Sequence, residues 1–228
     1  MNDRSLTTTW AGTHRANPPV HVATHRVLRN TYALLAMTLI WAASVASAGV
    51  VFDWTHPGPF FSLVGTLGLF FVVHKVRNSG WALPAVFALT GFMGYTLGPV
   101  LNAVAALPGG ATSIALALGT TGVTFLALSA YVLLTRKDFS FMGGFLMIGM
   151  AVALVAGLAA LFLELPALSL AVSGAVALLS AGLIVFETSR IVHGGETNYV
   201  MATVGLFLSI YNLFASLLSL FGFAGASE

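Results

Sequence analysis

A polytopic bundle of membrane-spanning helices is the fold class this sequence predicts, and three observations predict it. Only 7% of the residues are charged, where a soluble domain carries roughly 25%. Apolar stretches long enough to cross a bilayer recur along the whole chain. The positive residues fall between alternate stretches, and only there.

A helix needs about 20 apolar residues to cross a hydrocarbon layer of about 30 Å. Seven stretches qualify, at roughly residues 31–52, 59–75, 82–106, 111–134, 141–163, 166–188 and 199–223. The second is short. Brief connections with turn residues join them, such as His56-Pro57-Gly58-Pro59, Leu107-Pro108-Gly109-Gly110 and Leu165-Pro166. Such connections make each helix antiparallel to the next. Residues 31–228 then form one transmembrane domain. Residues 1–30 are polar, contain Pro18-Pro19 and lack periodicity, and so read as a flexible cytoplasmic tail.

The nine Lys and Arg sharpen this reading. Arg4, Arg15, Arg26 and Arg29 precede the first span. Lys75 and Arg77 follow the second, Arg136 and Lys137 the fourth, and Arg190 the sixth. All lie on one side of a seven-span bundle, which under the positive-inside rule places the N-terminus in the cytoplasm and the C-terminus outside. Merging or splitting any span would scatter the charges over both sides. Ala46-Ser47-Ala48 fits a signal-peptidase site, but the polar segment ahead of it is too long for a signal n-region, so the first span is expected to stay.

Composition also excludes functions. With no cysteine, thiolate metal sites and cysteine nucleophiles are ruled out. No Walker loop and no H-E-x-x-H motif is present. His193 and Glu196 would need a third ligand to hold a metal, and none is near. Neither an enzyme, nor a cofactor, nor a nucleic-acid partner is expected.

The 24 glycines fall largely within the spans. Gly94 and Gly98 form a GxxxG pair, for which packing inside the chain is expected over dimerisation. Pro84 and Pro99 should kink or break the third span.

One carboxylate stands apart. In "LIVFETSRIVHGGETNYV", Glu187 lies one or two turns before the end of the sixth span. An ionisable group there is costly and a functional candidate. One reading pairs it with Arg190 at i+3, snorkelling to the interface. The other turns it into the bundle, opposite Ser209, Tyr211 and Asn212 of "LFLSIYNLF", where it would act as a gate or pH sensor. The sequence leaves both open.

The stretch "FETSRIVHGGETNYVMATVGLFLSIYNLFASLLSLFGF" resembles the last two helices of the Bax inhibitor-1 family. "TGFMGYTLGPVLN", with Gly94, Gly98 and Pro99, resembles that family's glycine-proline signature, and "HRVLRNTYALLAMTL" and "AYVLLTRKDFSFMGGFLM" resemble its bacterial YccA-like branch. The resemblance covers roughly residues 21 to 225. It implies a seven-helix protein of the bacterial inner membrane that modulates the FtsH ATP-dependent protease, as inhibitor and slow substrate. The tail, with Arg4 and Arg15, would be the end the protease grips. The family also implies a pH-sensitive calcium leak, latched by two aspartates on the last two helices. The matching positions here are Glu187 and Ser209, with Arg190 and Asn212 beside them. A serine carries no charge for calcium and cannot share a proton as a second carboxylate would. That departure favours the protease-modulator reading, with the leak as the alternative.

Overall fold

The computed structural model describes residues 20–226. Seven long α-helices run in chain order: α1 (Val20–Val51), α2 (Pro59–Val76), α3 (Ala82–Ala105), α4 (Gly110–Thr135), α5 (Gly143–Phe162), α6 (Pro166–Val192) and α7 (Tyr199–Ala226). A 3-10 turn, Ser140–Met142, leads into α5. All seven helices are long and apolar enough to cross a membrane.

Local chemistry sets the boundaries. Gly58, at φ 91°, turns the chain into Pro59 at the start of α2, and Leu165 is extended before Pro166 of α6. Proline suits a first turn because its missing N–H has no partner there in any case. Gly109 takes the left-handed conformation ahead of α4. Arg136 ends α4 in the same conformation, at φ 51°.

Two expectations need correction. The first helix begins at Val20, so residues 20–30, read as tail, are helical. From Val20 to Ala48 there is neither proline nor glycine, and nothing in that stretch stops a helix. Pro84 and Pro99 do not break α3. Pro84 sits in the first turn, and the helix continues through Pro99. Arg4 and Arg15 lie outside the described residues.

The bundle is built around α7. It packs against α1, α3, α4 and α6, while α2 lies against α3 and α5 against α6. Val200, Ala202, Val204, Leu206, Phe207 and Leu218 of α7 are all essentially inaccessible. By contrast Phe60, Phe61 and Phe71 of α2 and Phe145, Ile148 and Val155 of α5 are widely exposed. Apolar surface of this kind is what a lipid-facing helix presents.

Lipid offers no hydrophobic drive for helices to associate, so close contact must come from small residues. That is the work of the α1–α3 crossing. Gly94 lies against the carbonyl of Ala42, and a Cβ built on Gly98 would stand 3.0 Å from the Ala46 carbonyl oxygen and 3.0 Å from Gly49 Cα. The GxxxG pair therefore packs within the chain. Trp41 Nε1 donates to the Phe87 carbonyl across the same crossing at 3.0 Å.

Hydrogen bonds between connections fix the polarity of the bundle. Asn198 caps α7, its Oδ1 accepting from the N–H of Val200 at 2.9 Å and of Met201 at 3.1 Å. Its Nδ2 donates to the Arg77 carbonyl at 3.1 Å and to Asn78 Oδ1 at 2.8 Å. His193 Nε2 lies 3.0 Å from the Arg136 carbonyl, and Ser189 Oγ accepts from the Phe139 N–H at 2.9 Å. The α2–α3, α4–α5 and α6–α7 connections thus meet at one end, bringing Arg77, Arg136, Lys137 and Arg190 together there. Asp138, in the same region, is held below the usual carboxylate range by the hydroxyl and N–H of Ser140. At the opposite end Asn102 Nδ2 donates to Asp53 Oδ1 at 2.6 Å, and Ser113 Oγ donates to the Phe221 carbonyl at 3.1 Å.

Two variants test this architecture. Gly94→Ala should destabilise by about 1–3 kcal/mol, because a backbone carbonyl cannot yield to the added methyl. Gly68→Ala, which meets nothing within 4 Å, should be neutral or mildly stabilising; thermal unfolding in detergent compares the two. In the same assay Asn198→Ala should lose about 2 kcal/mol through the cap and its tethers. Asn198→Asp, which keeps the cap and loses the donors, should lose about half of that.

Candidate functional site

The last turns of α6 are amphipathic in an unusual sense. Ile184 and Ile191 are fully buried apolar residues, and Thr188 and Ser189 between them are equally buried. The two isoleucines pack in one cluster with α7, while Ser189 turns to the α4–α5 connection. Glu187 leans onto α7 at Gly205, where a Cβ would lie 2.9 Å from Glu187 Cδ and 3.1 Å from each carboxylate oxygen. A side chain at position 205 would make the carboxylate shift. Glu187 therefore faces the bundle, with its side chain 14% exposed.

It is also paired. Arg190 Nη1 lies 3.4 Å from Glu187 Oε2, and Nη2 lies 3.2 Å from Glu196 Oε2. The two sequence alternatives are thus combined: Glu187 turns inward and keeps Arg190. The guanidinium also lies over the Phe186 ring, 5.4 Å from its centroid. Glu196 Oε1 accepts from the Asn198 N–H at 2.9 Å. One cation thereby links the body of α6 to the turn that starts α7.

Ser209 is one helical turn along α7 from Gly205 and is buried. Its hydroxyl donates to the Gly205 carbonyl at 2.9 Å, and no hydrogen bond joins it to Glu187 among the described residues. Tyr211 approaches Thr96 Oγ1 of α3 at 3.5 Å. Asn212 lies elsewhere, in a cleft of about 560 Å³ with Met147, Met150 and Leu154 of α5 and Val172 and Val176 of α6. The structure brings Glu187 and Arg190 together, sets Ser209 a turn away, and separates Asn212. Gly94, Gly98 and Pro99 belong to α3, the first two at its crossing with α1.

Sequence reasoning missed two participants. Glu196 was weighed only as a metal ligand with His193. It is instead the second carboxylate on Arg190, while His193 faces the Ser189 and Arg136 carbonyls. Among the described residues no three His, Cys, Asp or Glu side chains converge as a metal site would need. Gly205 went unnoticed among many glycines. Its spacing of one turn from Ser209 was the available signal.

Chemically, the site is a buried carboxylate, a bridging guanidinium and a second carboxylate at the mouth. It can hold two helices together or release them as charge changes.

The model of the family described as "Inhibitor of apoptosis-promoting Bax1" matches residues 24–226. The "Modulator of FtsH protease YccA" of Escherichia coli K12 is 52% identical over 203 residues, covering 89% of this chain and 92% of that protein. An "Inner membrane protein YccA" from Escherichia coli O6:H1 matches to the same extent. An uncharacterized protein of Pseudomonas aeruginosa is 51% identical over 202 residues, covering 89% and 91% of the two chains. This chain belongs to the Bax inhibitor-1 family, as a multi-pass protein of the bacterial inner membrane.

Proposed function

We propose that this chain modulates the FtsH ATP-dependent protease, as an inhibitor that is itself slowly degraded, and so alters the breakdown of other membrane proteins. The observation that carries the proposal is the 52% identity, over nearly the full length of both chains, to a relative named for modulating that protease. A chain that acts by binding needs no catalytic cluster, and the α6–α7 site is built for holding helices. The basic end, where three connections and four cations meet, is the cytoplasmic end under the positive-inside rule. The N-terminus then lies in the cytoplasm, and the C-terminus outside. Residues 1–19, with Arg4 and Arg15, precede α1 in the sequence and are the proposed grip for the protease. Chain termini are where proteolytic engagement concentrates.

Overproducing the full chain should lengthen the half-life of an FtsH membrane substrate in cells. Deleting residues 1–19, which spares α1, should slow degradation of the chain itself and lengthen the substrate's half-life further. An unchanged substrate half-life with both forms would remove the proposal.

A second reading rests on Arg190 shared between Glu187 and Glu196. Neutralising Glu187 frees one arm of that bridge and loosens α6 from α7, as a latch for an ion leak would require. Calcium would have to displace Arg190 from the carboxylates to bind there. Ion flux into vesicles should then rise as pH falls, and Glu187→Gln should flatten the response. Flux that stays constant with pH in the unaltered protein rejects this reading.

A further inference from the structure

Between α1 and α4, at the basic end, lies a cleft of about 620 Å³, lined by His25, Arg26, Leu28, Arg29 and Tyr32 of α1 and by Leu133 of α4. His25, Leu28, Arg29 and Tyr32 follow one another at i, i+3, i+4 and i+7, so they share a helix face. Farther in, the Tyr32 ring meets Phe125 of α4, with centroids 6.0 Å apart. The cleft is therefore two-part: cationic side chains at the mouth, and leucine and aromatic surface within.

Three further observations bear on what fills it. Among the described residues neither Arg26 nor Arg29 has a carboxylate within ion-pair distance. Residues 1–24 offer one acid, Asp3, against Arg4 and Arg15, so the chain's own N-terminal segment is a poor counter-charge. The cleft also opens at the basic end, beside Leu133 and three residues before Arg136, which is the level of lipid headgroups.

We propose that this cleft binds one anionic phospholipid of the surrounding bilayer. Its phosphate lies between Arg26 and Arg29, whose planar guanidinium forks match phosphate oxygens. Its acyl chain lies along Leu28 and Leu133. Basic pockets between helices on the cytoplasmic side are suited to such headgroups. Inorganic phosphate shares the recognised group but would leave the apolar wall uncovered.

The test uses the full chain in detergent, with lipid retention read by native mass spectrometry. Phosphatidylglycerol should be retained in preference to phosphatidylcholine, with one molecule held more firmly than the rest. Arg26→Gln with Arg29→Gln should weaken that molecule by about 25-fold, at about fivefold per arginine. Arg136→Gln with Lys137→Gln, which alters cations outside the cleft, should leave it bound. Three results would overturn the proposal: no preference for phosphatidylglycerol in the unaltered protein, which needs no variant to fold; equal loss in both double variants, which would mean general surface charge; and full competition by inorganic phosphate, which would mean a soluble anion site.

Discussion

Arg190 occupies the position on which the bundle's organisation depends. Its guanidinium lies between a carboxylate inside the α6–α7 interface and another in the turn that follows. That turn fixes where α7 starts, through Glu196 and then Asn198. In turn α7 is the helix against which α1, α3, α4 and α6 all pack. A charge in a membrane segment is tolerated when it is paired and faces protein. Here that requirement also sets the register of the central helix. Removing Arg190 would leave two carboxylates without their cation, a larger loss than removing either acid.

The span pattern was legible because hydropathy and positive charge follow the physics of the bilayer directly. Six of the seven helix starts expected from sequence lie within about two residues of those observed, the usual scatter at helix ends. The start of α1 was misplaced because a polar stretch was taken for an unstructured one. His25, Arg26 and Arg29 are polar, yet sit on a helix that lacks any breaker. At Pro99 the expected break is absent: a proline removes one hydrogen bond, and the close packing of Gly94 and Gly98 on α1 holds the turn that leads into it.

The site itself was half legible. Glu187 and Arg190 are three residues apart on one helix, and such a pair can be read from spacing alone. Glu196 is nine residues from Glu187 and reaches Arg190 only because Gly194, at φ 74°, turns the chain back. No periodic rule carries a contact around a turn of that kind. Gly205 was equally hidden, since its role is to leave space for a side chain on another helix. The resemblance puts the second acidic position at Ser209 on α7, whereas the second carboxylate on Arg190 comes from the loop before that helix.

The two ends of the bundle are held by different physics. At the end that carries Asp53 and Asn102, backbone meets backbone where Gly98 lies on Ala46 and Gly49, and Asn102 closes on Asp53. Such contacts have little freedom to change. In the half nearer the basic end, and at the middle of the bundle, the hydroxyls of Thr31, Ser129, Ser180 and Thr188 are buried without hydrogen-bond partners among the described residues. The half with the basic end also carries the Arg190 bridge and the α1–α4 cleft. Side-chain contacts, which can rearrange, are thus gathered at that end, and backbone contacts, which cannot, anchor the helices at the other.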